Sequence, residues 1–534
     1  MNCLAINACD ETLIVDCGVL FPAEPRMGID TIHPDFTFLL KGQKKIVGLV
    51  VTHGHEDHIA AIPYLLRDLN IPVFAGKYTI GLLSSRLAEF DNISHSQLSQ
   101  ISPEIPFKRG GFTITPIQMP HSTIDNLALV IECAGQRLFH TSDFKLSVTQ
   151  PDEHDTLIRQ LQRIKPIDLM ITDSTGALEK KDAGDEDSLL ENIGALVSNA
   201  TGRVFVALFS SNVQRISTLV KVARQTNRKL ILNGRSVLNH YAVARETGRM
   251  PDAVDVVVPV EKMHHFCNNQ LLIIMSGTQG ESRSALGRFA ANRHSQFTAE
   301  DTDTVILSSR FIPGNELQIS QTISRLMAQK VVVFHANNCS DIHVSGHGSQ
   351  NEIKTAIETV APRALLPAHG TYEHLQKVAE IARQTGIPHT LVATNGDVVT
   401  FFKGQLAIHE RIESGRVYID NVRPVSDTVL KERRKLGNKG IYIVWIQSGG
   451  NGKFKSEIQI AQKSAGVMEE TEFNRIAPLV ERKIRDTVAE FRITHPDIKR
   501  LVKIATRRII RKESRRDPVF VVEISPDLTT TDIP

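Results

Sequence analysis

Thr52-His53-Gly54-His55-Glu56-Asp57-His58 sets three imidazoles and the Asp57 carboxylate within six residues, between the apolar run Ile46–Val51 and the helical pattern Ile59–Leu66. A strand thus delivers a compact donor set into a helix start. Neutral imidazole nitrogens and a carboxylate oxygen are ligands for zinc or manganese, and two histidines one residue apart at a strand end can face the same ion. Asp57 and His58, a step further round the turn, can reach a second ion about 3.5–4 Å away, the spacing of two-metal hydrolytic sites. A histidine-rich surface loop formed by chance is the plain alternative, and the spacing argues against it.

Three further strand ends carry polar groups: Pro120-His121-Ser122, Thr141-Ser142-Asp143 and Thr172-Asp173-Ser174. Each alone reads as readily as a turn or an Asx cap. Together they supply what the first cluster lacks, a further histidine and a carboxylate able to bridge two ions. Asp16 follows the apolar Leu13-Ile14-Val15 and suits a group that accepts a hydrogen bond from a ligating imidazole, although an ordinary turn aspartate looks the same. His369, in Pro367-Ala368-His369-Gly370 after Ala364-Leu365-Leu366, has the position expected of a remaining ligand. In Asp341–Gly348, His343, Ser345 and His347 sit among glycines that let a backbone approach closely, which suits a phosphate better than an apolar group.

These residues require a scaffold of short strands. Residues 1 to about 186 alternate apolar strands with helices, which predicts an α/β layered fold with an opening hairpin of Met1–Ile6 and Leu13–Gly18 across Asp10-Glu11. The chain opens directly in a strand, which leaves room for another strand upstream. From 187 to 344 a strand-then-helix rhythm predicts a second α/β domain. Its strand ends, Ser210-Ser211-Asn212, Asn233-Gly234-Arg235-Ser236, Ser276–Ser282 and Ser308-Ser309-Arg310, expose hydroxyls and backbone N–H groups. Such loops are anion sites or simply helix caps, and four in one segment favour a phosphate-bearing substrate. Residues 345–420 return to the first domain, 421–439 read as a charged linker, and 440–534 as a small α/β domain of three strands and two helices. Its second helix, near Ile498–Glu513, runs a basic face from Lys499 to Arg516 beside an apolar stripe: a solvated face, or a contact with nucleic-acid backbone.

At 534 residues the chain needs two to four domains. A hydrophobic content of 41% and a charged content of 23% are those of globular proteins and exclude collagenous and disordered classes. The net charge of +3 is compatible with a polyanionic partner without requiring one. No apolar run approaches the ~20 residues of a membrane span. The six cysteines follow no CxxC or disulfide spacing, so they are expected to be reduced and the protein cytoplasmic.

The series His53-x-His55-x-Asp57-His58, His121, Asp143 and His369 resembles the ligand motifs of the metallo-β-lactamase superfamily. The insert, with Asp173, His347 and His369 at its motif positions, resembles the β-CASP nucleases, and a histidine at the third position is typical of the RNA-acting members. Asp16-Cys17-Gly18 through Gly28-Ile29-Asp30, Thr278-Gln279-Gly280-Glu281, Ile312–Glu316 and His343-Val344-Ser345-Gly346-His347 are similar to the bacterial ribonuclease J family, over the whole length. Three departures are visible: the glycine-rich first strand is absent, Asp-Ser-Thr-Asn reads Asp173-Ser174-Thr175-Gly176, and Ser122-Thr123-Ile124-Asp125 follows His121.

The resemblance implies a four-layer αββα sandwich with a β-CASP insert and a C-terminal α/β domain. It implies one zinc on His53, His55, His121 and Asp143 and a second on Asp57, His58, Asp143 and His369, with manganese or magnesium as substitutes. A hydroxide available near neutral pH, because zinc lowers the pKa of water from 15.7 to about 7, would attack phosphorus and leave 5′-phosphate and 3′-hydroxyl ends. His347 would stabilise the pentavalent state or protonate the leaving oxygen, Asp173 would orient a ligand or the water, Asp16 would support a ligating imidazole, and Ser211, His343 and Ser345 would hold a substrate phosphate. The implied partner is single-stranded RNA, cut by 5′-to-3′ exonuclease and endonuclease activity in mRNA decay and rRNA maturation. A homodimer or homotetramer through the C-terminal domain is also implied. A small-molecule hydrolase acting on a lactam or thioester has no use for so long an insert, and a non-catalytic RNA-binding partner of an active paralogue has none for a complete ligand set.

Overall fold

The structure is a computed structural model that describes every residue except 23–26, 43, 91–92, 94–96, 149–150, 251, 313, 449–457 and 526–534. Contacts divide the chain into two compact units, residues 1–21 with 32–416, and residues 22–31 with 417–534.

The first unit opens on a hairpin, with its turn one residue before the expected Asp10-Glu11. Leu4–Ala8 pairs antiparallel with Glu11–Val15, with Ala8 opposite Glu11, so that Cys9-Asp10 form a two-residue turn and Cys9 takes φ 52°. Lys45–Val50, Val73–Ala75 and Leu98–Gln100 add to this hairpin in parallel and complete a five-stranded sheet. A seven-stranded sheet runs in the order 389–390, 364–368, 169–173, 136–140, 127–133, 112–118, 107–109. Alternation in Phe112–Gln118 turns Phe112 and Ile114 inward, where they meet Leu13, Val15, Val50 and Phe74 of the first sheet. The outer face of the larger sheet, through Phe139, Met170 and Leu365, buries Leu157, Leu161, Ile353, Ile357 and Val378 of three helices. Full burial of each such side chain stabilises by roughly 1.5–3 kcal/mol, so helices are held on the sheet by their apolar stripes. Ile62–Asp68 and Lys77–Leu87 connect strands of the smaller sheet, and the result is the four-layer αββα sandwich. The helical pattern after the histidine cluster is interrupted: Glu56–Ile59 and Ile62–Asp68 are separate short helices, with Pro63 in the first turn of the second.

Leu169–Asp173 and Ala364–Ala368 are neighbours in the larger sheet, paired from Leu169–Ala364 to Asp173–Ala368. The chain between them forms an inserted layer with a five-stranded, wholly parallel sheet, in the order 229–233, 271–275, 204–207, 304–307, 332–334. Its central strands are buried throughout and apolar but for Thr304, as parallel strands covered on both faces are expected to be.

In the second unit Ile441–Ser448 lies between Ile458–Ala465 and Val519–Ser525. Tyr442, Val444 and Ile446 face Ile476, Val480 and Ile484 of the helix Glu470–Phe491 and Val502 and Ile510 of the helix Ile498–Ser514. The second of its strands in chain order, which the sequence places at 455–461, is Ile458–Ala465, and 455–457 lie outside the described residues. The expected linker 421–439 is not one: it holds the strand Arg423–Val425 and the helix Asp427–Lys439, capped by Ser426. Only Leu430 of that helix is buried, so its charges conceal the apolar period. No helix among the described residues is long and apolar enough to cross a membrane. The six cysteines are free thiols.

Candidate metal centre and active site

Val50 and Val51 are fully buried and fix the end of a central strand, so the chain must release Thr52-His53 at the C-terminal edge of the sheet. Asp16, at the end of the adjacent strand, takes up this turn: Oδ1 accepts from the Thr52 N–H at 2.8 Å, and Oδ2 from the Thr52 hydroxyl at 2.8 Å. The same Oδ2 lies 2.8 Å from Nδ1 of His58, which aims the other ring nitrogen of His58 into the site. Gly18 lets the loop close, since a Cβ there would lie 1.7 Å from the carbonyl oxygen of Asp57.

His53, His55, His121 and Asp143 converge on one point. His53 Nε2 and His121 Nε2 lie 3.0 and 3.2 Å from His55 Nδ1, and 3.7 and 3.9 Å from Asp143 Oδ2. Asp57, His58 and His369 form an adjoining group, in which Asp57 Oδ2 is 3.5 Å from His58 Nε2 and 3.2 Å from His369 Nε2. Asp143 joins the two, 3.3 Å from His58 Nε2 and 3.1 Å from His369 Nδ1. A third grouping, Asp143, Asp173, His347 and His369, extends the cluster, with His347 Nδ1 2.7 Å and His369 Nδ1 3.4 Å from Asp173.

Burial holds the imidazoles of His53 and His121 well below their usual pKa and brings His55 down to about 4. Three imidazoles whose neutral form is favoured thus turn nitrogens toward one another and toward one carboxylate. For His58 burial pulls the pKa down, but Asp143, Asp57 and Asp16 outweigh it and push it up to about 10. For His369 burial is likewise outweighed, chiefly by Asp143, and the pKa is raised well above its usual value. Burial would raise Asp143 and Asp57, yet His369 and His58 beside the first, and His58 beside the second, hold both carboxyls far down. Buried donors whose lone pairs meet at one place, with carboxylates in protonated imidazoles' company, fit divalent cations displacing those protons.

Of the residues expected to bind phosphate, Ser345 is built into the His347 turn: its hydroxyl lies 2.9 Å from the carbonyl oxygen of His347 and accepts from the His347 N–H. His343 is held low by burial and then by Arg215 and Arg310, and its buried Nδ1 has no hydrogen-bond partner. Ser211 lies in the turn before the helix Val213–Gln225, and no hydrogen bond among the described residues joins its side chain to His343 or Ser345.

Several contributors are not evident in the sequence. Asn126, fully buried, donates to the carbonyl oxygen of Asp143 at 2.6 Å and accepts from Ser142, whose hydroxyl lies 3.4 Å from His53 Nδ1. The Asn2 amide nitrogen is 3.2 Å from Asp57 Oδ2 and 2.9 Å from His58 Nε2. Thr175 places its hydroxyl 3.1 Å from His369 Nδ1. Thr175 lies within Asp173–Gly176, a stretch already marked as a polar strand end, whereas Asn126 and Asn2 carry no signal of their own in the sequence.

Four family profiles match the chain: "Beta-lactamase superfamily domain" over residues 13–201, "Ribonuclease J, beta-CASP domain" over 201–326, "Zn-dependent metallo-hydrolase RNA specificity domain" over 332–392, and "Ribonuclease J C-terminal domain" over 428–526. Ribonuclease J of Corynebacterium glutamicum is 32% identical over 528 residues, covering 97% of this chain and 73% of that protein. Ribonuclease J of Mycobacterium tuberculosis is 32% identical over 454 residues, 83% of this chain and 80% of that protein. Ribonuclease J of Synechocystis is 29% identical, over 97% of this chain and 83% of that protein. A crystal structure of a protein of unknown function from Enterococcus faecalis V583 superposes with a TM-score of 0.53 at 14% identity, covering 74% of this chain and 95% of that one, a likeness of fold.

Proposed function

The chain belongs to the ribonuclease J family, and from that premise we propose that it is a two-zinc ribonuclease, a 5′-to-3′ exonuclease that also cuts internally. Its substrates are single-stranded RNAs in cytoplasmic mRNA decay and rRNA maturation. The observation that carries this reading is the convergence of six ligand side chains on a seventh, Asp143, with an inserted domain beside them that a small substrate would not need.

His53, His55, His121 and Asp143 would hold one ion, and Asp57, His58, Asp143 and His369 the other. Bound there, zinc would polarise the phosphoryl oxygens and lower the pKa of a water to about 7, with manganese or magnesium as substitutes. His347 keeps Nδ1 on Asp173, which leaves its other nitrogen to stabilise the crowded phosphorus or give a proton to the departing 3′-oxygen. Asp173 spans His347 and His369 and so orients an acid and a ligand together. His343, with an unpartnered Nδ1, and Ser345 and Ser211 would take the 5′-phosphate. The products carry 5′-phosphate and 3′-hydroxyl ends. The sheet face opposite the helices of the C-terminal unit presents Trp445, 40% exposed, beside a half-buried Ile443, which supports a homodimer or homotetramer through that unit.

The test is a time course on matched RNAs bearing 5′-monophosphate, 5′-triphosphate or 5′-hydroxyl, with metal content measured in parallel. The monophosphate is expected to be degraded fastest. Cleavage retained by His55→Ala would overturn the reading, and a deletion after residue 430 that leaves the number of subunits per sedimenting particle unchanged would overturn the oligomer assignment.

A further inference from the structure

We propose that the C-terminal unit carries a second RNA-binding surface, on the outer face of the helix Ile498–Ser514, where Arg500, Lys503, Arg508 and Lys512, with Arg515 at the helix's C-cap, hold the backbone of single-stranded RNA.

The helix is oriented by its own core. Ile498, Val502, Thr506 and Ile510 are buried against the three-stranded sheet, so the opposite face points to solvent, and all five cations on it are exposed. Among the described residues, Asp517 is the carboxylate that enters this face, and it is taken by Arg507 at 2.6 Å and Arg511 at 2.7 Å. Lys499 and Arg516 at the margins pair with Glu523 and Glu472. Among the described residues, the five central cations have no ion-pair partner. Like charges on one helix face repel one another, and a polyanion lying along it would relieve that repulsion.

The surplus is regional. Residues 417–534 contain 23 lysines and arginines against 16 aspartates and glutamates, whereas the whole chain carries only +3, so the rest of it is net acidic. At 1.5 Å per residue the five cations extend over roughly 22 Å, long enough to follow several phosphates. Three of them are guanidiniums, whose planar forks match phosphate oxygens. A membrane surface fits less well, because a helix lying in lipid buries its apolar face there, and this one has already buried that face on its own sheet. Ile504, 54% exposed, is the apolar side chain left among the cations. The choice of RNA over another polyanion rests on the ribonuclease reading above.

The experiment uses the full chain on a His55→Ala background, with a fluorescent 5′-hydroxyl single-stranded 30-mer, and compares Arg500→Gln/Lys503→Gln/Arg508→Gln/Lys512→Gln with its parent by anisotropy across a salt series. Affinity is expected to fall at least tenfold at low salt, and the slope of log K against log salt to shrink by roughly 3, since each phosphate contact on a single strand contributes about 0.7. A control, Lys431→Gln/Arg434→Gln/Lys435→Gln, removes comparable charge from the helix Asp427–Lys439 and is expected to keep RNA affinity within twofold. Unchanged affinity and slope in the first variant overturn the proposal, as does an equal loss in the control. Loss of binding to phosphatidylserine vesicles with RNA binding intact would assign the face to a membrane and overturn it as well. A fall in RNA affinity together with absence of any ribonuclease activity in the unsubstituted chain would keep this surface and remove the catalytic reading.

Discussion

Asp173 Oδ2 lies 2.7 Å from His347 Nδ1, while Asp173 Oδ1 lies 3.4 Å from His369 Nδ1, so one buried carboxylate orients two imidazoles that return from the far side of the insert. Asp173→Asn keeps the shape and removes the charge. The expected result is a fall in kcat of roughly 10²–10⁴ with KM for RNA nearly unchanged and metal content intact. Single-turnover cleavage with parallel metal analysis distinguishes this from ligation, because a ligand's loss would lower occupancy in step with rate.

Asp16 ties Thr52 and His58 together from a position at φ 60°, in the left-handed region where an L-residue sits only when its surroundings hold it. An outer carboxylate of this kind fixes the tautomer and direction of the imidazole in front of it. Asp16→Asn is expected to weaken metal binding about 10–100-fold, read by competition with a chromophoric chelator. An unchanged affinity would reduce Asp16 to a turn residue.

Metal loading should release protons. Carboxylates raise His58 to about 10 and His369 well above its usual value, so both rings are charged at pH 7 in the absence of a cation. A ligating nitrogen must be free of its proton, so each ion competes with protons, and affinity rises with pH until those groups have titrated. Calorimetry in buffers of different ionisation enthalpy should show release of at least one proton per subunit at pH 7; no release would contradict the charge state.

The metal loop and its support were legible because their information is local: a strand, a histidine pair at one-residue spacing, and an acid ending the neighbouring strand. Asp143, Asp173 and His369 could be placed because each also ends a strand. Asn126 was not, since a buried amide bracing Asp143 and Ser142 looks in sequence like any loop asparagine. The 421–439 helix was missed because a helix that buries only Leu430 has almost no apolar period to read. The pairing of Leu169–Asp173 with Ala364–Ala368 across the whole insert depends on tertiary closure, which no local pattern encodes.

Helix Lys77–Leu87 binds the inserted domain to the metal loop. Tyr78 Oη lies 2.6 Å from Nδ1 of His240 in the insert, and Gly54, between two metal-facing histidines, is packed so closely that an added Cβ would lie 2.6 Å from Leu82. Tyr78→Phe leaves His240 Nδ1 buried without a partner, at a cost of about 1–3 kcal/mol in stability. Urea unfolding should show that loss, and a change below 0.5 kcal/mol would mean the pair is dispensable.

Glu352 draws three segments of the site together from one buried carboxylate. It accepts from the N–H groups of Leu146 at 2.8 Å, Ser147 at 2.7 Å, Ala183 at 2.9 Å and Ser349 at 3.0 Å, and from the Ser147 hydroxyl at 2.9 Å. Leu146 and Ser147 follow Asp143 closely, and Ser349 follows His347, so the same group steadies a metal-facing residue and the acid candidate. Burial alone would raise its pKa, but the N–H donors of Ser349 and Ala183, with those of Ser147, prevail and hold it below the usual value. A carboxyl lowered by folding contributes stability that is complete above its unfolded pKa, about 4.3, and lost as pH falls through the folded value. Glu352→Gln replaces one acceptor by a donor facing N–H groups, and should cost about 3 kcal/mol at pH 7. The difference from the parent chain should narrow as pH is lowered below about 4, because the parent then loses the charge that the variant never had. Urea unfolding at pH 7 and at successive acid values measures this, and a gap independent of pH would show that the loops are held by packing rather than by the carboxylate.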